Sequence, residues 1–446
     1  MNNRENWTSR FGFIMAASGS AIGLGNIWRF PYITGTNGGA VFLLIYLAIV
    51  FLIGYPIIIA EMTIGRRTQK NPIGAFRALA PESPWWLVGA LGVMSGFIIL
   101  SFYSVVAGWA MAYIFKSIST FTVNTGFAEF FSTYISSLGE PIFWHAVFML
   151  MTILIVSAGV VEGIQKIVKI LMPLLFLIIV FLIIRSISLP GSMDGVNFYL
   201  KPDFSKITLQ TFTDAISQSF FTLSLGMGTM ITYGSYLSNK ENINDSAAYV
   251  IFFDTLFAIL AGFAIFPAVF ALGFSPEAGP GLTFITLPAV FAEMPMGSIF
   301  GASFFILITI AALTSSISLL EVVVAYLVDE KSWTRKKASY IIGGIIFLTG
   351  IPTILGYSIW SDFRFLGMDI LDTYDWFANS LFLPIGGLFI SIYVGYIWKA
   401  NNAIKEANKA DGLILLGNWY AILIKYIAPA AIILILAINL WQTFAG

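Results

Sequence analysis

Two stretches of this 446-residue chain break long apolar segments with glycine, and a third buries a carboxylate in one. In GSAIGLGNIWRFPYITGTNGG, residues 19–39, Gly19, Gly23 and Gly25 interrupt the first apolar segment. In QTFTDAISQSFFTLSLGMGTMITYGSY, residues 210–236, Gly226 and Gly228 sit mid-segment beside Thr222 and Ser224. Asp254 stands in the apolar run FFDTLFAILAGF. Glycine inside a helix costs about 1 kcal/mol relative to alanine, so such clusters mark places where backbone leaves the helix. In hydrocarbon, the freed N–H and C=O groups are tolerated only inside protein or beside a water-filled cavity. An intramembrane carboxylate is costly unless it is paired, which makes Asp254 a candidate functional group. The alternatives are plain: glycines also let helices pack closely, and a neutral, hydrogen-bonded acid needs no cation.

The elements that hold these groups follow from composition. The chain is 58% hydrophobic and only 10% charged, with mean hydropathy +0.87, whereas a soluble domain carries roughly 25% charge. This implies an all-α polytopic membrane protein, because the apolar runs are longer than the roughly 10-residue strands of membrane barrels. Segments able to cross the bilayer fall at 11–35, 41–65, 86–116, 141–159, 165–187 and 209–236. Others fall at 246–273, 298–328, 338–357, 370–398 and 413–443, about eleven in all. The first and sixth are the glycine-broken ones. Matched breaks in two five-helix halves are what an inverted repeat predicts, and they point to a binding site at the membrane midplane. The chain therefore reads as one domain over 1–446: a first repeat at 11–187, a second, inverted one at 209–398, and an extra helix at 413–443.

Zero net charge gives no reason to expect nucleic acid, and the absence of cysteine excludes disulfides and thiolate chemistry. The N-terminal MNNRENWTSR lacks a cleavable-signal pattern. With the N-terminus cytoplasmic, sixteen Lys and Arg residues collect inside against six outside, which orients the chain; an odd helix count then places the C-terminus outside, in the cell membrane. The outer stretch SPEAGPGLTFITLPAVFAEMPMG reads as a packed lid. His145, next to Trp144, reads as an interfacial residue. Glu61 reads as either structural or part of a proton path.

GSAIGLGNIWRFPY with NGG at 37–39, FFTLSLGMG at 220–228 and LTSS at 313–316 resemble the neurotransmitter:sodium symporter family, in its bacterial amino-acid-transporting branch with the LeuT-type fold. The resemblance runs from Trp7 to about Trp398. It implies two sodium ions. One would take the Ala21 carbonyl, Asn26, Thr222 and Asp254, together with the substrate carboxylate. The other would take carbonyls of Gly19, Ile22 and Ala311 and the hydroxyls of Thr314 and Ser315. Sodium is a hard cation, and an unwound helix supplies the oxygens it needs. Read alone, the Thr-Ser-Ser run would more often bond its own i−4 carbonyls. The family commonly has an amide at the position of Asp254, and Ala258 occupies the place of a carboxylate found in some relatives. Asp254 is therefore expected to serve as both ligand and resident negative charge, making chloride unnecessary.

The resemblance also implies a hydrophobic L-amino acid as substrate. N–H groups near Leu24 and Gly25, with the Tyr103 hydroxyl, would hold its carboxylate. Carbonyls of Ala21, Phe221, Thr222 and Ser224 would meet its ammonium. Ile99, Tyr103, Phe221, Met227, Ser315 and Leu319 would line the side-chain pocket, whose apolar character rejects charged amino acids on desolvation grounds. Met227, flanked by two glycines, suits a range from valine and leucine to aromatics. Arg29 and Asp375 match the outer gate; Arg4 and Asp329, with Trp7 and Tyr236, match the inner gate, and Glu321 lies near it. Gly163 and Pro173 match a fifth-helix segment whose inner end unwinds, although a proline can also simply kink a helix. A channel would want a continuous polar lining rather than polar groups at one depth. An intramembrane enzyme would want a nucleophile–base pair, which the sequence does not show. A proton-coupled carrier of the same fold is the nearest rival.

Overall fold

A computed structural model describes residues 5–121, 125–277 and 281–445. Its helices are α1 Arg10–Ala21, α2 Gly25–Thr36, α3 Ala40–Thr68, α4 Trp86–Ser119, α5 Gly139–Ser157 and α6 Val160–Ile187. They continue with α7 Leu209–Thr222, α8 Thr229–Gly234, α9 Ile243–Ala271, α10 Gly297–Lys331, α11 Arg335–Leu355, α12 Ile370–Ile397 and α13 Asn418–Phe444. Among the described residues, nine helices are long and apolar enough to span a membrane, and α1 and α2 together, bent by 49°, make a tenth. The expected sixth span differs. It divides into α7, of 14 residues, and α8, of 6, neither of which is long enough alone.

The division has a backbone cause. Ser224, Gly226 and Gly228 all take positive φ, at 54°, 77° and 75°. Left-handed backbone is nearly free for glycine and costs other residues roughly 1–2 kcal/mol. Ser224 is held there by its own hydroxyl, which donates to the Ser20 carbonyl at 3.2 Å. Glu61 of α3 accepts the Gly226 N–H at 2.7 Å. This gives Glu61 a structural place: it satisfies backbone that the break exposes, and it does not pair with Arg66. Each break is thus tied down by side chains from elsewhere.

The centre of the molecule is α10, packed along α4 and buried over most of its length. By contrast α6 turns Ile170, Leu177 and Ile184 outward, a face suited to hydrocarbon. The connection between α9 and α10 carries the short helix Leu282–Glu293, whose Phe284 stacks on Phe131 at 5.3 Å and meets Trp109 edge-on at 5.9 Å. That is the packed lid read from the sequence. His145 departs from its interfacial reading. It is fully buried between α5 and α11, stacked on Phe347 at 4.7 Å with Nε2 3.1 Å from the Phe347 carbonyl. Gly350 leaves room for the ring, and Gly108 lets the backbone at His145 approach α4 closely.

At the inner end, Arg66 of α3 is fully buried and donates to Glu406 Oε1 at 3.0 Å and to the Glu241 carbonyl at 2.6 Å. Lys409 also reaches Glu406, at 2.6 Å. Asp245, at the start of α9, takes Arg10 at 3.1 Å and the N–H groups of Leu413 and Ile414, each at 3.0 Å. The connector before α13 is therefore fastened to the inner ends of α1, α3 and α9. Removing one partner of a buried pair leaves an uncompensated charge, costing about 3–5 kcal/mol. Arg66→Ala should lower the melting temperature in detergent strongly, whereas Arg67→Ala, with a side chain 55% exposed, should leave it nearly unchanged.

Candidate functional site

The two breaks face each other, and backbone accounting shows how each is held. α1 ends where Ile22 turns extended and its N–H bonds Ser18 at 2.7 Å. Beyond it, Gly23 N–H donates to Asn26 Oδ1 at 3.0 Å and Leu24 N–H to the Tyr103 hydroxyl at 3.0 Å. The Gly25 carbonyl accepts Gln218 Nε2 from α7 at 2.7 Å. On Gly23 a Cβ would stand 2.4 Å from Ser315 Oγ and 2.7 Å from the Tyr103 hydroxyl, so only glycine permits this approach.

Beside this break lies a carboxylate. Asp254 Oδ1 accepts Asn26 Nδ2 at 2.9 Å and Thr222 Oγ1 at 2.8 Å, while Oδ2 faces the Tyr46 hydroxyl at 3.4 Å. All four side chains are buried, and among the described residues no Lys or Arg comes within ion-pair distance of Asp254. A buried anion with only neutral donors is under-compensated, so a small cation among these oxygens would be strongly favoured. Asn26, Thr222 and Asp254, from three separate elements, thus meet as the sequence reading expected, with Ala21 lining the adjoining cavity.

A second oxygen cluster joins α1 to α10. Thr314 Oγ1 donates to the Ala311 carbonyl at 2.9 Å and lies 3.5 Å from the Ile22 carbonyl. Ser315 Oγ lies 3.5 Å from the Gly19 carbonyl and donates to that of Ser20 at 2.9 Å. Gly19, Ile22, Ala311, Thr314 and Ser315 are therefore one neighbourhood of two hydroxyls and three carbonyls, a donor set suited to a hard, weakly polarising cation.

Between the two clusters is a small cavity of about 20 Å³. Ala21, Gly25, Ile99, Tyr103, Phe221, Ser224, Met227, Ser315 and Leu319 line it, as expected, and Ser20 and Gly23 join them. Leu24 and Thr222 do not line it; one turns its N–H to Tyr103 and the other its hydroxyl to Asp254. Sites for small molecules run about 300–1,000 Å³, so lining side chains must move for a ligand to enter.

The residues expected to form the two gates are placed unequally. Arg29 lies 5.4 Å above the Phe221 ring and donates to Ser217 at 3.0 Å and Gln218 at 3.4 Å. Asp375 instead accepts Asn379 at 2.6 Å, and the two gate residues are not joined within 4.0 Å. On the inner side Trp7 donates from Nε1 to the Tyr233 carbonyl at 3.0 Å and from its N–H to that of Tyr236 at 3.1 Å. Tyr236 donates to Glu321 at 2.5 Å, and Arg335 grips the same carboxylate at 2.6 and 3.1 Å. Asp329 accepts the N–H of Asn71 at 2.9 Å; Arg4 lies outside the described residues. A cavity of about 750 Å³, lined by Glu5, Tyr236, Asp329 and Arg335, opens beneath. The inner end of α6 begins with a wide turn, Val160–Gln165, containing Gly163, with Pro173 further along. Glu5 accepts the Val160 N–H at 2.7 Å, and Gln165 accepts that of Thr8 at 3.1 Å.

Sequence reasoning missed Ser20, Gln218, Arg335, Glu5 and Gln165. Ser20 was visible as a polar residue two positions before the first break; the others act through contacts between distant segments.

A model of the sodium:neurotransmitter symporter family matches residues 4–134 and 124–445. The uncharacterized sodium-dependent transporter YhdH of Bacillus subtilis is 41% identical, over 96% of each chain. The sodium- and chloride-dependent GABA transporter 2 of Rattus norvegicus is 26% identical, over 89% of this chain and 74% of its own. A crystal structure of MhsT in complex with L-phenylalanine superposes with TM-score 0.90 at 48% identity, covering 98% of this chain and 99% of the other. Gly226 at the facing break has a left-handed φ and would place a Cβ 2.4 Å from the Leu383 carbonyl. Gly226→Ala should sharply reduce the monodisperse peak in size-exclusion chromatography, whereas Gly139→Ala, with nothing within 4 Å, should leave it unchanged.

Proposed function

This chain belongs to the sodium:neurotransmitter symporter family, and we propose that it is a sodium-coupled symporter of hydrophobic L-amino acids with two sodium sites, independent of chloride. The observation that carries the reading is the meeting of Asn26, Thr222 and Asp254 beside a cavity built from both helix breaks. The bound L-phenylalanine of the solved relative supports the substrate class.

An amino-acid zwitterion sheds water only when both its charges are met. Backbone N–H groups near Leu24 and Gly25, the Tyr103 hydroxyl and the first sodium hold the carboxylate; carbonyls of Ala21, Phe221, Thr222 and Ser224 hold the ammonium. Sharing its carboxylate with a sodium held by Asn26, Thr222 and Asp254 makes each ligand raise the affinity of the other. Because Asp254 is an anion within the protein, that sodium needs no chloride beside it. The second sodium, among Gly19, Ile22, Ala311, Thr314 and Ser315, ties α1 to α10 and holds the inner side shut. Alternating access then exchanges two sets of contacts. Arg29 moves toward Asp375 as the outer side closes, and the Trp7, Tyr236 and Asp329 contacts part as the inner side opens. Loosening of α6 between Gly163 and Pro173 lets water reach the second sodium, since glycine and proline both make local melting inexpensive. The halves at 11–187 and 209–398 supply the two-fold frame, the N-terminus faces the cytoplasm, and the C-terminus faces outward in the cell membrane.

Purified protein should bind radiolabelled leucine in sodium chloride and sodium gluconate alike but not in choline chloride; equal binding without sodium would refute the coupling. Asp254→Asn should make binding chloride-stimulated, and a wild type that loses binding in gluconate would refute the resident-anion role. Pro173→Ala in proteoliposomes should slow uptake several-fold while leaving equilibrium binding within about twofold; equal losses in both would make the proline a static kink.

A further inference from the structure

The cavity is less apolar than its lining aliphatics suggest, because three serines from three elements meet at its floor. Ser20 of α1 and Ser224 of the second break line it, and Ser318 of α10 stands directly behind Ser20. Ser20 Oγ lies 2.6 Å from Ser318 Oγ and 3.3 Å from Ser224 Oγ. All three residues are buried, so no bulk water serves these hydroxyls.

Counting protons decides what the floor can offer. A serine hydroxyl has one proton to give and two lone pairs to receive. Ser318 donates to the Ser315 carbonyl at 2.7 Å, and Ser224 donates to the Ser20 carbonyl at 3.2 Å. Ser315 donates to that same carbonyl at 2.9 Å, which fills both of its lone pairs. With Ser318 already a donor elsewhere, the 2.6 Å contact must be Ser20 giving its proton to Ser318. Every hydroxyl proton in the cluster is therefore committed to protein. What remains toward the cavity is lone pairs.

We propose that the Ser20–Ser224–Ser318 cluster is a specificity device that accepts a hydrogen bond from a donor on the substrate side chain, favouring an indole N–H over an isosteric ring that lacks one. This rests on the amino-acid reading above and adds a polar criterion within it. A site built to accept a hydrogen bond discriminates against an analogue without the donor, because its buried lone pairs are then left unmet. Tryptophan carries such a donor; 3-benzothienyl-L-alanine has nearly the same shape, with sulfur in place of N–H. A side chain offering only an acceptor meets lone pair against lone pair and gains nothing.

The test is competition by each analogue against sodium-dependent radiolabelled leucine binding on the purified full-length protein. Wild type should prefer tryptophan over 3-benzothienyl-L-alanine by about tenfold, the worth of one buried hydrogen bond. Ser20→Ala should reduce that ratio to about one. Ser318→Ala frees the Ser20 proton to turn to Ser224 Oγ, 3.3 Å away, where it occupies a lone pair the substrate would otherwise use; the ratio should fall here too, which keeps the test available if one variant fails to fold. Equal competition by the two analogues in wild type, or an unchanged ratio in a variant that still binds leucine, would overturn the proposal. Leucine binding that ignores sodium would instead overturn the transport reading, so the two failures are told apart.

Discussion

The constraint on which this structure depends is the need to satisfy backbone that has left the helix in the middle of a membrane. Two interrupted segments face each other, and each exposed amide or carbonyl must find a partner there or bind something. Tyr103 serves Leu24, Gln218 serves Gly25, Glu61 serves Gly226, and Ser224 with Ser315 serves Ser20. Several of these partners are neutral and hydroxylic, and such bonds can be exchanged for bonds to an ion or a ligand at little net cost. The carboxylate of Asp254 is the exception: its charge is met only by neutral donors. When ionised it would favour a cation beside it, as the proposed sodium site requires.

Around this adaptable centre the molecule keeps ionic contacts that are not easily exchanged. Arg66 with Glu406, Asp245 with Arg10, and Arg335 with Glu321 are buried or half-buried pairs at the inner ends of the helices. Breaking any one strands a charge in apolar surroundings, so these pairs hold the helix ends they join firmly together. The gates are of another kind. Arg29 rests on a ring and on neutral partners, and Asp375 on an amide, so either can be released without stranding a paired charge.

Much of the site was legible because its signal was local. Glycines at 19, 23, 25, 226 and 228 announce two breaks whatever the rest of the fold does. The family motifs then place Asn26, Thr222, Thr314 and Ser315 at definite steps from those breaks. The count of spans was less legible. Hydropathy treats 209–236 as one segment, yet three left-handed residues cut it into pieces too short to count alone. His145 was misjudged because a tryptophan neighbour suggests an interface, whereas close helix approach at Gly108 and the space beside Gly350 bury the ring. Glu61 and Glu321 were visible as costly carboxylates, but their partners Gly226 and Arg335 lie 165 and 14 residues away, and nothing in the sequence pairs them.

By itself the sequence determined that this is a polytopic helical membrane protein, where its helices break and which oxygen-bearing residues stand at the breaks. Those properties follow from hydropathy and backbone preference, which act over a few residues. Only the tertiary structure decided which proton each hydroxyl gives and to whom, that Arg29 and Asp375 stand apart, and that Ser20 and Ser318 meet. Hydrogen-bond direction depends on the full set of neighbours within 3.5 Å, and those neighbours come from segments hundreds of residues apart.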